Sequence, residues 1–190
     1  MNSELSLSEI QQAIFSMSAA RSSDRFPLDI ALEVANTNPL AMKDILELKG
    51  KGLISWDLSL KSQPFMDSVS NFDHMIECVV YYGNAEKGRC CIGFALGCVT
   101  EDKTAIELNF IEKRRDSGSE LNSQFLLIIV DALSFYGLYL NNAGQANISK
   151  FVIVGPIEGI VPYYKTYGFE YVESYNSSGL DAMYRNLEAE

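Results

Sequence analysis

The stretch AIELNFIEKRRDSGS, residues 105–119, constrains the fold of this chain more than any other. Its first half alternates apolar and polar side chains, which is typical of a β-strand, and we place that strand at Thr104–Ile111. Its second half brings three basic residues in front of Gly118. From Ser119 to about Leu140 the apolar residues then recur at helical spacing. The stretch therefore predicts a strand that runs through a basic turn into a long helix.

A further strand and a last helix follow this unit. The apolar run Phe151–Val154 predicts a short buried strand. Because it is reached through a helical crossover, we expect it to lie parallel to the strand ending at Ile111. Pro156–Tyr167 predicts the last helix, and a closing hairpin is expected from Phe169–Tyr175 and Ala182–Leu187.

Two more strands precede the basic turn. The runs Met75–Tyr82 and Cys90–Val99 are apolar and rich in β-forming residues. Short turns join them to each other and to Thr104–Ile111, so these three strands should be antiparallel. The predicted fold class is α+β, with a mixed, mostly antiparallel sheet flanked by helices.

The amino-terminal part has a different pattern. Ser6-Leu7-Ser8-Glu9 has the form of a capping box and predicts a helix to about Ala20. Pro27 is expected to open a second, short helix, and Thr37-Asn38-Pro39 to begin a third that ends at Gly50. The alternation in Leu53–Leu60 predicts a strand.

A polar, turn-rich stretch at residues 61–72 suggests a boundary. We therefore divide the chain into a helical segment, residues 1–72, and a core domain, residues 73–190. The helical segment is expected either to cover the sheet or to act as an accessory module.

The charge of the chain bears on its partners. Its 190 residues have a formal net charge of -10, which argues against nonspecific binding to nucleic acid and is compatible with a cationic substrate. His74 is the only histidine, so a metal site built on several imidazoles is not expected, nor is a Ser-His-Asp triad.

The cysteines and the lengths of the apolar runs bear on the cellular compartment of the protein. Cys78, Cys90, Cys91 and Cys98 lie in strand-like apolar runs and are predicted to be buried, reduced thiols. The sequence shows neither a secretory leader pattern nor about 18 uninterrupted apolar residues, the length of a membrane span. We expect a cytoplasmic protein, and its long apolar strands are compatible with a homodimer.

The order strand, basic glycine turn, helix, strand and Tyr-x-x-x-Gly-Phe resembles the acetyl-CoA-binding core of the GNAT N-acetyltransferases. The resemblance extends over residues 75–187, and its last motif is Tyr164 to Phe169. It implies the GNAT-like fold, acetyl-CoA as the acyl donor, and an amine-bearing small molecule or protein as the acceptor.

The resemblance also implies a coenzyme site. The family's pyrophosphate loop, Arg/Gln-x-x-Gly-x-Gly/Ala, aligns with Arg115–Glu120. A phosphate at such a place meets unpaired backbone N–H groups at a helix start. Glu120 departs from the pattern, and so does Ile157-Glu158, where family members often have an Asn. The implied coenzyme-binding residues are Phe110, Ile111, Lys113, Arg114, Arg115, Asp116, Ser117, Gly118 and Ser119.

The resemblance assigns two catalytic roles. Tyr164, four residues before Gly168, stands where the family has the tyrosine that protonates the leaving thiolate. A Glu on the preceding strand commonly removes the proton of the amine; Glu107 and Glu112 are the candidates, and Glu107 is better placed. The structural alternatives are a packing tyrosine and a half-exposed strand carboxylate.

Three functions remain open at this stage. The first is acetyl transfer to a primary amine. The second is a GNAT-like protein without acetyl transfer that uses its first helices to bind a partner or DNA, since three helices and a strand are similar to a winged helix-turn-helix. Residues 1–70 contain six Lys or Arg against nine Asp or Glu, which disfavours DNA. The third, acetylation of aminoacyl-tRNA, is disfavoured by the net charge.

Overall fold

A computed structural model describes residues 5–61, 69–84, 86 and 88–187. Seven strands form one sheet in the order β1-β2-β3-β4-β5-β7-β6. All neighbouring strands are antiparallel except β4 and β5, which are parallel. The predicted mixed, mostly antiparallel sheet is confirmed. The strands are β1 Ile30–Val34, β2 Met75–Asn84, β3 Gly88–Val99, β4 Ala105–Lys113, β5 Lys150–Val154, β6 Glu170–Val172 and β7 Ala182–Asn186.

Helices cover both faces of the sheet. On one face, α1 and α4 pack against each other and share the largest buried apolar cluster with the strands. On the other face, α2 and α3 contact β3 and enclose a second cluster. The helices are α1 Leu7–Ser23, α2 Pro39–Gly50, α3 Leu58–Lys61, α4 Phe125–Asn142 and α5 Val161–Thr166.

The first part of the chain contains two wrong predictions. The predicted second helix is strand β1, an edge strand whose alternate residues Ile30, Leu32 and Val34 are buried. Five residues are too few for a stable helix, and pairing with β2 satisfies the backbone instead. A winged arrangement of three helices is therefore not formed in the described residues up to 61. The first and third helices, α1 and α2, are confirmed.

The predicted strand Leu53–Leu60 is also wrong. This segment forms a turn followed by the short helix α3. A residue of β4 holds the backbone of this turn: the carboxylate of Glu112 accepts hydrogen bonds from the N–H groups of Ser55 (2.6 Å) and Trp56 (2.8 Å). The predicted boundary at residues 61–72 falls mostly on residues 62–68, which lie outside the described part.

Two helix starts differ from the predictions. A 3-10 turn occupies Ser119–Leu121, and α4 begins only at Phe125. Ser123 between them has a φ of +60°, a left-handed conformation that interrupts the helical run. The last helix is likewise short: a 3-10 turn at Glu158–Ile160 precedes α5.

The apolar composition of α4 has a structural cause. Of the helices in the described residues, it alone is long and apolar enough to cross a membrane. More than half of it is buried inside the protein, between the sheet and α1. A core helix covered on one side by a sheet needs such a composition, so packing accounts for it.

The cysteines are all free. Cys78, Cys91 and Cys98 are buried as predicted, and burial raises the pKa of Cys91 and of Cys98 to about 12. Cys90 is exposed, which corrects its predicted burial. It points away from the apolar cluster that takes its neighbour Cys91, since successive strand residues face opposite sides.

Candidate functional site

The sheet opens between its two parallel strands. The ladder of β4 and β5 runs from Ala105↔Lys150 to Leu108↔Ile153, whereas β4 continues to Lys113 beside β3 alone. Within the described residues, the second half of β4 therefore presents an unpaired edge. Such an edge can pair with an extended ligand that has amide groups.

A β-bulge shapes this half of β4. Gly97 pairs with Leu108 and Leu96 pairs with Phe110, which leaves Asn109 as the extra residue. A Cβ atom on Gly97 would collide with the carbonyl oxygen of Glu107, so glycine is required for this close approach. Glu107 and Asn109 are two residues apart on the strand and lie on one face, where the Asn109 amide is 3.5 Å from Oε2 of Glu107.

Glu107 is the centre of a buried polar network. Only 2% of its surface is exposed, so its carboxylate needs partners inside the protein. Oε1 accepts a hydrogen bond from the hydroxyl of Tyr175 (3.0 Å) and Oε2 one from Ser70 (2.7 Å). The thiol of Cys98 lies 3.4 Å from Oε2. These donors come from the β6–β7 loop, from the segment before β2 and from β3.

A cleft of about 960 Å³ opens beside this network. Among the described residues, its charged groups are the carboxylates of Glu101, Asp102 and Glu107 and the ammonium group of Lys150. Hydrogen bonds from Thr100 lower the pKa of Asp102, so this carboxylate is ionised at neutral pH. The cleft is therefore suited to a cationic group. The remaining walls come from the 69–72 segment, the β3–β4 turn and the β6–β7 loop.

Tyr164 lies on the other face of the sheet. It belongs to α5, is 7% exposed and packs in the cluster beneath α1 and α4. Burial raises the pKa of Tyr164, so the phenol stays protonated at neutral pH. No described residue accepts or donates a hydrogen bond at its hydroxyl. The neighbouring Tyr163 hydroxyl donates to the carbonyl of Ser123 (3.1 Å), which ties α5 to the segment preceding α4.

The three basic residues of the turn point in different directions. Arg114 forms two hydrogen bonds to Asp116, at 2.5 and 2.8 Å, and lies 2.8 Å from the sulfur of Cys90. Arg115 donates to the hydroxyl of Ser55 (2.8 Å). Lys113 alone turns toward the start of α4.

The position of Lys113 is set by Asn122. Its ammonium group donates to Asn122 Oδ1 (2.7 Å), and partial burial lowers its pKa. No side chain caps the first turn of α4, so backbone N–H groups at this helix start are open to an anion. Lys113 therefore adds a positive charge at the uncapped helix start.

Glu120 and Ser117 give opposite indications for a bound phosphate. The carboxylate of Glu120 lies directly over Gly118, where a Cβ atom would collide with it. It also adds to the effect of burial in raising the pKa of Tyr82. The hydroxyl of Ser117 is buried and has no hydrogen-bond partner in the described chain, as expected of a group that awaits a ligand. A phosphate at this turn would therefore gain a donor in Ser117 and be repelled by the carboxylate of Glu120.

The other predicted coenzyme contacts lie on both sides of β4. Phe110 stacks edge-on against Trp56 at 5.2 Å on the α2–α3 side. Ile111 is half-buried against the cluster beneath α4. Ser119 is exposed at the start of the 3-10 turn. In the described residues, no group of three His, Cys, Asp or Glu side chains could hold a metal ion.

Sequence reasoning missed Ser70 and Tyr175. They contact Glu107 from 37 and 68 residues away along the chain. No periodicity or motif in the sequence connects such distant positions. The role of Glu112 was missed for the same reason: it fixes the turn before α3, so Glu107 is the strand carboxylate that faces the cleft.

Comparison with known proteins agrees with this architecture. No protein-family model matches the sequence, and no curated protein matches it significantly. Among solved structures, a GNAT-family acetyltransferase from Staphylococcus aureus Mu50 is similar, with a TM-score of 0.52 and 13% identity over 85% of this chain and 99% of that one. An acyl-CoA N-acyltransferase from Pseudomonas aeruginosa has a TM-score of 0.50 and 12% identity over 83% and 99% of the two chains.

A third similar structure is the spermidine/spermine N-acetyltransferase SpeG from Vibrio cholerae. Its TM-score is 0.50 and its identity 16%, over 83% of this chain and 93% of that one. At such identities the similarity concerns the fold. The chain therefore has the fold of the GNAT N-acetyltransferases and is a divergent representative of it.

Proposed function

We propose that the protein is an acetyl-CoA-dependent N-acetyltransferase that acts on a primary amine by direct transfer. The observation that carries the proposal is the buried carboxylate of Glu107, which faces a cleft and stands one residue before the β4–β5 ladder opens. At this opening, a ligand bound on the α4 face of the sheet can contact a group on the face that lines the cleft.

The coenzyme would bind at the unpaired half of β4. Backbone groups from Asn109 to Lys113 would pair with its extended arm, between the side chains of Phe110 and Ile111. Its pyrophosphate would lie at Lys113, the Ser117 hydroxyl and the open N–H groups of α4. When bound, acetyl-CoA supplies a thioester whose carbonyl carbon an amine can attack.

The acceptor amine would enter from the acidic cleft. An amine of pKa about 10.4 is protonated at neutral pH and must lose a proton before it can attack. Glu107 would take that proton, and Asp102 would attract the cation. Tyr164 would give a proton to the departing sulfur, because its phenol is protonated and has no hydrogen-bond partner among the described residues. Comparable structures include an aminoglycoside 6'-N-acetyltransferase from Enterococcus faecium, so a small amine is one candidate acceptor and a protein amine another.

A second candidate function is supported by the turn. Arg114 is neutralised by Asp116, and Glu120 lies over Gly118, so two of the expected phosphate contacts are engaged within the chain. A protein that keeps the GNAT fold for binding a partner, without acetyl transfer, would show these features.

Calorimetric titration with acetyl-CoA, and with CoA in parallel, separates the two functions. The enzyme requires one-to-one binding at micromolar concentrations and release of free thiol when an amine is added. Absence of binding at millimolar coenzyme would reject the enzyme and favour the binding protein. A cytoplasmic location and a homodimer remain proposals, and fractionation and light scattering would test them.

A further inference from the structure

Tyr175 covers the carboxylate of Glu107 on its cleft side. Both residues line the cleft, but Glu107 is almost completely buried whereas Tyr175 remains partly exposed. The hydroxyl of Tyr175 lies 3.0 Å from Oε1 of Glu107. Tyr175 is therefore the more accessible residue of this hydrogen-bonded pair for a molecule in the cleft.

The two carboxylate oxygens of Glu107 differ in the number of hydrogen-bond donors near them. Oε2 accepts from Ser70 and also lies near the Asn109 amide and the Cys98 thiol. Oε1 has a hydrogen bond from Tyr175. Each carboxylate oxygen has about two lone-pair sites. Oε1 is thus the oxygen better able to take a proton, and its neighbour on the cleft side is a hydroxyl that can both donate and accept.

We propose that Tyr175 is a catalytic residue that contacts the acceptor amine and relays its proton to Glu107. The inference rests on the proposed function and adds a route for the proton that the carboxylate alone does not provide. Tyr175 belongs to the loop between β6 and β7, outside the strand, turn and helix that hold the coenzyme.

Two linked proton transfers free the acceptor amine for attack. The ammonium group passes one proton to the oxygen of Tyr175 while the hydroxyl proton of Tyr175 moves to Oε1 of Glu107, so the tyrosine ends neutral. The freed lone pair of nitrogen forms the bond to the acetyl carbon, and the carbon–sulfur bond breaks. Tyr164 gives its proton to the sulfur and regains one from the nitrogen. Glu107 then returns its proton to solvent.

The chemistry of Tyr175 agrees with a relay. Burial, together with the adjacent Glu107 carboxylate, raises the pKa of Tyr175 well above its usual value. The residue therefore remains a neutral phenol throughout the physiological range. A neutral hydroxyl between an ammonium group and a carboxylate can pass a proton without itself becoming charged.

The test compares Tyr175→Phe with Tyr171→Phe. Tyr171 is a matched control, because its hydroxyl also donates to a carboxylate, that of Asp181, but outside the cleft. The probes are ethylamine, which is protonated at neutral pH, and hydroxylamine, which is not. Transfer from acetyl-CoA is followed by thiol release. Tyr175→Phe should lose about 100-fold in kcat/KM with ethylamine, the scale of general acid–base catalysis. With hydroxylamine its rate should be nearly unchanged, and Tyr171→Phe should match the parent with both amines.

A purely structural role for Tyr175 predicts equal losses with both amines, and that result would overturn the relay. So would full activity of Tyr175→Phe with ethylamine. A second measurement needs no turnover: the side-chain carboxyl carbon of Glu107, observed by NMR in glutamate-labelled protein at pH 7, should shift in Tyr175→Phe and stay in place in Tyr171→Phe. An unmoved resonance rejects the relay even if the protein is an acetyltransferase. A shifted resonance in a protein that binds no acetyl-CoA and transfers to neither amine rejects the proposed function, and the catalytic role with it.

Discussion

Charged side chains have different kinds of partners in the cleft around Glu107 and in the basic turn at residues 113–120. Glu107 is buried, and its hydrogen bonds come from Ser70, Cys98 and Tyr175, which lie on separate segments. In the turn, Arg114 binds Asp116, two residues away, at the surface. The cleft thus buries its carboxylate among distant segments, whereas the turn keeps its charges near the surface and pairs Arg114 with a neighbour in sequence, although Arg115 also reaches Ser55.

The energetics of the two regions differ accordingly. A buried carboxylate without donors would cost several kcal/mol, so its partners must be placed accurately. A surface ion pair such as Arg114–Asp116 contributes little to stability and can rearrange when a ligand binds. A charged motif in a sequence therefore says less about a site than a buried charge in a structure.

The largest loss of acetyl transfer is expected from a substitution in the cleft. Glu107→Gln keeps the volume of the side chain but removes the proton acceptor, so acetyl transfer to ethylamine should fall about 1,000-fold. Affinity for acetyl-CoA, measured by calorimetry, should stay within twofold of the parent, because the carboxylate does not face the turn. Retained activity would show that the cleft carboxylate is structural only.

Tyr164→Phe tests the face of the sheet opposite the cleft. Loss of the phenol proton should slow turnover about 100-fold, while coenzyme affinity stays the same. Tyr139→Phe, an exposed tyrosine on α4, is the control. A variant as active as the parent would remove Tyr164 from the reaction and leave the cleft as the only catalytic region.

Within the turn, we expect Lys113 and Arg114 to differ in their contributions to CoA binding. Lys113→Ala removes the ammonium group at the uncapped start of α4 and should weaken CoA binding about tenfold, or 1.4 kcal/mol. Arg114→Ala should change it less than twofold, because Asp116 already engages that guanidinium. Equal losses in both variants would mean that the Arg114–Asp116 pair opens when the coenzyme binds.

The smallest effect is expected at Glu120. Glu120→Gln removes a negative charge beside the phosphate site and should tighten CoA binding about threefold, an effect that salt should diminish. Glu47→Gln, an exposed carboxylate on α2, controls for the change in net charge. Weaker binding in Glu120→Gln would mean that this carboxylate supports the turn. If the parent binds no coenzyme and Glu120→Gln does, Glu120 is what blocks the site.

The resemblance to the GNAT family, carried by local motifs, predicts part of the candidate site. Tyr164 and Glu107 are both predicted from the family resemblance, and the structure places them on opposite faces of the sheet, Glu107 at the cleft and Tyr164 in the apolar cluster beneath α1 and α4. Whether they act in catalysis stays a prediction. The error at β1 has a plain cause, because five residues of mixed pattern fit either a short helix or an edge strand and only β2 decides between them.

The sequence by itself determined the order of the central elements, since the alternation of β4, the helical spacing of α4 and the crossover to β5 are properties of neighbouring residues. Tertiary structure alone decided which polar side chains contact the carboxylate of Glu107. Ser70 and Tyr175 reach Glu107 because β2 and β7 occupy particular places in the sheet. Hydrogen bonds between distant segments depend on the packed arrangement of strands, and local periodicity has no information about that arrangement.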